Sequence, residues 1–309
     1  MGRAATRVAL ATLLLLSTVF LLVGQDSPAA VVPAAPVVAA LPDPLLTTQT
    51  MNGREYFMSH HEVVPVGASV IRLPILMYHY IRLAPSIRYD PLGYRLSVPP
   101  ADFQAQMDWL YFNHYHPVTF DQVRAYFAGR TPLPARPVVI TLDDGYADLF
   151  TAAFPILLAH GFTAVAYIVS GFVDQQRYVT HEQVLQMDRA GIEIASHTVD
   201  HADMGHASAW TATYQLVQSK RWLENLVGHS VVDFAYPSGK YSYMTIQLLN
   251  QYGYSTAVIE DGSSMHSLAD RYLWGRVRVG GGETMQDFIS NLGPPMPSVT
   301  TSSLFVKPA

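Results

Sequence analysis

Three short polar clusters carry the chemistry open to this sequence, and each follows a run of strand-forming residues. The first is Thr141-Leu142-Asp143-Asp144-Gly145, directly after the apolar run Val138-Val139-Ile140. Adjacent carboxylates at the end of a buried strand repel each other and are costly unless a cation or hydrogen-bond donors compensate. Taken alone, the cluster reads equally well as an Asp-Asp-Gly turn. The second is Ser196-His197-Thr198-Val199-Asp200-His201. Histidines at i and i+4 lie on one face of a helical turn and offer two nitrogens to one metal ion. Either histidine alone reads as a capping or core residue, and with 12 His in the chain a pair also arises by chance. Two at ligand spacing, beside an Asp-Asp-Gly strand end, favour a metal site. The third cluster is Phe234-Ala235-Tyr236-Pro237-Ser238-Gly239.

Bringing these clusters together requires strands that end at one place. The pattern predicts strands over 74–78, 138–142, 164–169, 192–195, 232–235, 256–259 and 276–279. Helices are predicted over 101–113, 148–160, 181–190, 207–227, 243–252 and 284–292. Such alternation argues for α/β architecture with parallel strands, as an open sheet or a barrel, with function at the carboxyl ends of the strands.

The chain has 309 residues and 50% hydrophobic content, enough for a sizeable core. Its net charge of −5 and lack of a basic run give no footprint for nucleic acid. Cysteine is absent, which excludes disulfides, thiolate metal sites, a cysteine nucleophile and a lipidated cysteine anchor. Any metal must therefore be held by histidine and carboxylate. Residues 1–25 carry two arginines and then an uncharged apolar run, 8–23, which reads as an export signal, either cleaved or retained as a membrane anchor. Residues 26–50 are rich in Ala, Pro and Val and read as a spacer, 51–72 as a lead-in, 73–295 as the functional domain and 296–309 as a tail. An extracytoplasmic location follows, secreted or anchored on the outer face of the membrane. His60, His61, His114 and His116 lack acidic partners and read as surface, and Gly280-Gly281-Gly282 reads as a turn.

TLDDG and SHTVDH resemble the first two signature motifs of the polysaccharide deacetylases, the NodB homology domain of carbohydrate esterase family four. The resemblance implies a distorted (β/α) barrel with parallel strands and outer helices. It implies Asp143 as catalytic base and Asp144, His197 and His201 as ligands of one divalent ion, Zn2+ first, with Co2+, Ni2+ or Mn2+ as alternatives. The third cluster is similar to the family's Phe-Arg-x-Pro-Tyr-Gly loop, so the backbone N–H of Ser238, after Pro237, falls to the oxyanion. The usual arginine is replaced by Ala235. The segment Asp270-Arg271-Tyr272-Leu273-Trp274 matches the fourth motif in part, and beyond it Arg276, ranked ahead of Arg278, is expected to supply the missing cation. The family's final Leu-x-His is absent. His79, at the end of Pro74-Ile75-Leu76-Met77-Tyr78-His79, is the candidate general acid, alongside a metal-held water or Tyr236. Tyr236 and Trp274 are expected to wall a pocket for the acetyl methyl.

The implied reaction is hydrolysis of N-acetyl groups on an amino-sugar polymer such as peptidoglycan or poly-N-acetylglucosamine. An O-acetyl esterase of the acetylxylan type would use the same residues. Two rivals remain at this point. A carbohydrate-binding pseudoenzyme is favoured by the missing arginine and terminal histidine, and a tethered structural protein would have no use for an Asp-His-His set. No protein partner is readable.

Overall fold

The computed structural model describes residues 46–51 and 54–306. Seven parallel strands form the frame: β1 (Ile75–Tyr78), β2 (Pro137–Leu142), β3 (Val165–Ile168), β4 (Glu193–Ser196), β5 (Asp233–Ala235), β6 (Thr256–Val258) and β7 (Val277–Arg278). Their order is β6-β5-β4-β3-β2-β1-β7, with the short strand His116–Pro117 added at the start of β2. The sheet curls until its two edges meet. At that seam there is a parallel bridge between Val258 and Trp274, with Ile259 N–H donating to Trp274 O at 2.9 Å. The result is the distorted (β/α) barrel.

Period-2 alternation sorts the strand side chains into an inside and an outside. Ile75, Val139, Val165, Tyr167, Ala195, Ala235 and Val258 fill the barrel, joined by Trp274. Leu76, Tyr78, Val138, Ile140, Leu142, Ala166, Ile168 and Ile194 face outward against helices. Continuing the alternation one residue past the strand ends turns His79, Asp143 and His197 toward the barrel mouth. Buried strands with both faces covered read as the continuous apolar runs seen in the sequence.

The helices are α1 (Pro100–Phe112), α2 (Phe120–Phe127), α3 (Phe154–Ala159), α4 (His181–Arg189), α5 (Ala209–Val227), α6 (Tyr243–Gln251) and α7 (Met285–Leu292). Local signals set their starts. Pro100 opens α1, and Thr119, Thr180, Ser242 and Thr284 form capping boxes at α2, α4, α6 and α7. The single helix expected over 148–160 is instead a π turn, Leu149–Ala153, leading into α3, because Pro155 has no N–H to continue an α ladder from Thr151. Among the described residues, no helix is long and apolar enough to cross a membrane. The signal or anchor expected over residues 1–25 lies outside the described residues.

The flanking segments pair with one another as strands. Residues 46–50, expected to be spacer, belong to a strand, Leu46–Met51, paired antiparallel with Arg54–Val64 from the lead-in. The expected tail contributes Val299–Val306 to the other side of that same strand. The Ala/Pro/Val bias ends before Leu46, and Leu46-Thr47-Thr48-Gln49-Thr50-Met51 is Thr-rich, as strands often are.

Candidate active site

The barrel mouth assembles residues that follow four strands and one that precedes a fifth. Asp143 and Asp144 follow β2, His197 and His201 follow β4, Pro237 and Ser238 follow β5, His79 follows β1, and Arg276 precedes β7. Asp144, His197 and His201 offer ligand atoms that all lie within 4.8 Å of one another. Asp144 Oδ1 sits 3.4 Å from His197 Nε2 and 3.4 Å from His201 Nε2, yet it is buried without a hydrogen-bond partner. Ligands about 2.1 Å from a tetrahedral centre stand about 3.4 Å apart, so the donor set fits one divalent ion. His197 Nδ1 lies 2.8 Å from Ala235 O, which fixes that nitrogen as the N–H and leaves the Nε2 lone pair facing Asp144.

The spacing that suggested a helical turn has a different structural basis. Residues 198–200 form a turn rather than a helix, with Thr198 at φ 69 and His201 at φ 61. The histidines converge because left-handed residues reverse the chain between them. Asp144 at φ 71 and Ser238 at φ 54 are also left-handed, a conformation that side-chain-bearing residues rarely adopt. This strain collects around the ligand set and marks a backbone held by its surroundings.

Beside the triad, Arg276 is completely buried and grips Asp143 with two parallel bonds, Nη1 to Oδ1 and Nη2 to Oδ2, both 2.7 Å. Its Nη1 also donates to Thr141 Oγ1 at 3.0 Å, and its Nε to Ile259 O at 3.4 Å. Burial alone would raise the Asp143 pKa, but Arg276, aided by His197 and His79, holds it below the ordinary carboxylate range. Arg278, the second-ranked arginine, pairs instead with Glu260. His79 Nε2 lies 4.0 Å from Asp143 Oδ2, and its buried Nδ1 has no partner. Burial lowers the His79 pKa despite the nearby carboxylates.

The loop after β5 places Pro237 under cover and Ser238 at the surface. Tyr236 and Trp274, expected to wall an acetyl pocket, are both fully buried. Tyr236 points outward from β5 and packs on Phe234 and Tyr241, while Trp274 lies inside the barrel and donates its indole N–H to Ser267 O. Alternation accounts for Tyr236, since Ala235 takes the inward position and its neighbour must face out.

Two features were missed in the sequence. Tyr146, directly after the Asp-Asp-Gly, stacks on Tyr80 with ring centroids 3.7 Å apart and on Tyr178 at 5.3 Å, making an aromatic wall near Asp144. Its adjacency to Asp143-Asp144-Gly145 was the available signal. Gln215 on α5 binds the backbone between the two histidines, and no sequence spacing announced it.

Parallel barrel and carboxyl-end site define a hydrolase of the (β/α) type, with an Asp-His-His set that could hold a metal ion. Residues 130–257 of the chain match the family described as polysaccharide deacetylase. It is 29% identical over 211 residues to YxkH of Bacillus subtilis (strain 168), a protein named for polysaccharide deacetylation, covering 68% of this chain and 72% of that one. It is 27% identical over 241 residues to the poly-beta-1,6-N-acetyl-D-glucosamine N-deacetylase of Escherichia coli (strain K12), covering 64% of this chain but only 36% of that protein. Among solved structures, the Streptococcus pyogenes deacetylase PplD in complex with acetate aligns with TM-score 0.67 and 25% identity, covering 72% of this chain and 99% of that one. A polysaccharide deacetylase from Bacillus cereus aligns with TM-score 0.64 and 25% identity, covering 72% and 69%.

Proposed function

We propose that this protein hydrolyses N-acetyl groups on an extracytoplasmic amino-sugar polymer of the poly-N-acetylglucosamine or peptidoglycan kind. The observation that carries the reading is the unpartnered, buried Asp144 Oδ1 facing two histidine nitrogens, next to a second carboxylate held by Arg276. Asp144, His197 and His201 are the residues to hold one divalent ion, Zn2+ first in our reading. Such an ion supplies Lewis acidity toward a carbonyl oxygen and a water molecule.

The residues of the chain divide the remaining work. Asp143 accepts the proton of the attacking water as its oxygen bonds to the acetamide carbon. Arg276 keeps Asp143 ionised and fixes the plane of its carboxylate, replacing the cation that Ala235 cannot provide. That replacement answers one of the two features favouring a carbohydrate-binding pseudoenzyme, the missing arginine. The backbone N–H of Ser238 is our candidate donor to the developing oxyanion, a role that tolerates any side chain there. His79, close to Asp143, is the candidate to pass a proton to the departing nitrogen as the C–N bond breaks, giving acetate and a free amine. Because its pKa is lowered, its ring starts neutral and must first take up that proton.

The test is acetate release from N-acetylglucosamine oligomers by the purified protein, with and without chelator. Release that chelator stops and added Zn2+ or Co2+ restores is the expected result. Metal binding without acetate release from any acetylated sugar would return the pseudoenzyme to first place.

A further inference from the structure

The turn that carries both histidine ligands is not held by its own secondary structure. Between His197 and His201 lie Thr198 in the left-handed region, Val199 and Asp200, and His201 is left-handed itself. No helical ladder satisfies the backbone N–H groups there. One side chain does so from another element. Gln215, on the second turn of α5 and almost completely buried, accepts hydrogen bonds at Oε1 from Val199 N–H at 2.8 Å and Asp200 N–H at 3.3 Å. Its Nε2 donates to Asp200 Oδ1 at 2.8 Å. The amide thus closes a small ring around the apex of the ligand turn. The helix beneath it is anchored, since Ser208 caps its first turn and Ser219, one turn past Gln215, bonds Ser196 Oγ at 2.8 Å. Gly171 N–H bonds Val199 O at 2.8 Å and Ser170 N–H bonds Thr198 O at 3.1 Å, so the carbonyl side of the turn is held by β3's following loop.

We propose that Gln215 is a positioning residue for the metal site. It holds the His197–His201 turn in a strained conformation that aims both imidazoles at Asp144 before any ion arrives. The inference rests on the metal reading above and deepens it. Part-buried N–H groups left without an acceptor lose a hydrogen bond, so a side chain that cannot accept would let the turn relax toward solvent. Relaxation would move His201, the most exposed of the three ligands, away from His197. The residues that orient ligands without touching the ion commonly govern affinity by about 10–100-fold.

The experiment is equilibrium Co2+ binding to the metal-depleted full chain, by chelator competition and by the visible absorption of the bound ion. Thermal unfolding without metal is recorded alongside. Gln215→Met removes the acceptor while keeping the volume, and is expected to weaken Co2+ binding by about tenfold or more and to alter the absorption bands. Gln215→Glu with Asp200→Asn restores an acceptor for both N–H groups and reverses the donor in the side-chain pair. That double variant is expected to recover affinity to within about threefold of wild type, a recovery that a mere stability defect would not give. A wild type that takes up no Co2+ sinks the metal reading and this inference with it. A wild type that binds, with Gln215→Met binding as tightly and with unchanged bands, overturns only the inference. If Gln215→Met fails to fold, the double variant decides: loss of affinity in a folded double variant counts against the proposal.

Discussion

The barrel holds two carboxylate–arginine pairs at opposite ends, one fully buried and one with a half-buried arginine, and they differ in their surroundings. At the mouth, Arg276 grips Asp143. At the floor, where the strands begin, Arg124 pairs with Asp233, Thr256 Oγ1 donates to the same carboxylate, and Glu193 accepts Phe120 N–H at 3.0 Å. Burial and the adjacent Asp233 push the Glu193 carboxyl well above its ordinary value. No side-chain atom of Arg124, Asp233, Glu193 or Thr256 is among the buried polar atoms lacking a partner. At the mouth, His79 Nδ1, Asp144 Oδ1 and Thr198 Oγ1 all lack one, and left-handed residues cluster there. An ion pair by itself therefore marks nothing. His266 Nδ1 lacks a partner as well, so what sets the mouth apart is the convergence of several unpartnered atoms and left-handed residues around one ion pair.

The largest effect that separates the two ends is expected from matched acid-to-amide changes. Asp143→Asn should lower kcat by roughly 10²–10⁴-fold with the fold retained, because the amide cannot take the water proton. Asp233→Asn should leave kcat/KM nearly unchanged and shift the urea midpoint instead. Equal activity losses in both would erase the distinction.

Matched removal of the arginines comes next. Arg276→Met and Arg124→Met each strand a buried carboxylate and should each cost about 3–5 kcal/mol in urea unfolding. Only Arg276→Met should also move the acidic limb of the pH–kcat/KM profile upward, since Asp143 loses the charge that holds its pKa down. An unmoved limb would remove Arg276 from the mechanism.

A smaller effect tests the floor by pH. His266 donates through Nε2 to Leu73 O at 2.9 Å, and burial lowers its pKa to about 4. An unfolded histidine titrates near 6.5, so between about pH 6.5 and 4 the unfolded chain binds more protons. The contribution is full above pH 6.5 and is lost as pH falls toward 4, by about 2–3 kcal/mol between pH 7 and 4.5. His266→Asn should lose correspondingly less stability than wild type over that interval, as measured by urea midpoints. The smallest effect is at a helix cap of the floor: Thr119→Ala should cost about 1 kcal/mol and leave acetate release untouched.

Much of this arrangement was legible because strand period and strand ends are local properties. Alternation alone carries His79, Asp143 and His197 inward, and the Asp-Asp-Gly and His-x-x-x-His clusters sit where a parallel barrel concentrates function. What stayed hidden depends on distant pairing. Arg276 and Arg278 have the same strand parity, so which one reaches Asp143 is set by the stagger of the barrel seam. The same parity rule, applied to Ala235, would have turned Tyr236 away from the groove. Gln215 acts across 15–16 residues through backbone N–H groups, which leave no trace in residue types. The strand Leu46–Met51 was absorbed into the compositional run before it, since its partners lie in the lead-in and at the far end of the chain.

The most direct test of the central claim is a titration of metal-depleted protein with Zn2+, recording acetate release and bound metal together, beside Asp144→Ala. Activity should rise to a plateau at one ion per chain, with neither tight binding nor activity in the variant. Acetate release that persists in the metal-depleted protein, or one-to-one binding that survives Asp144→Ala, would contradict it.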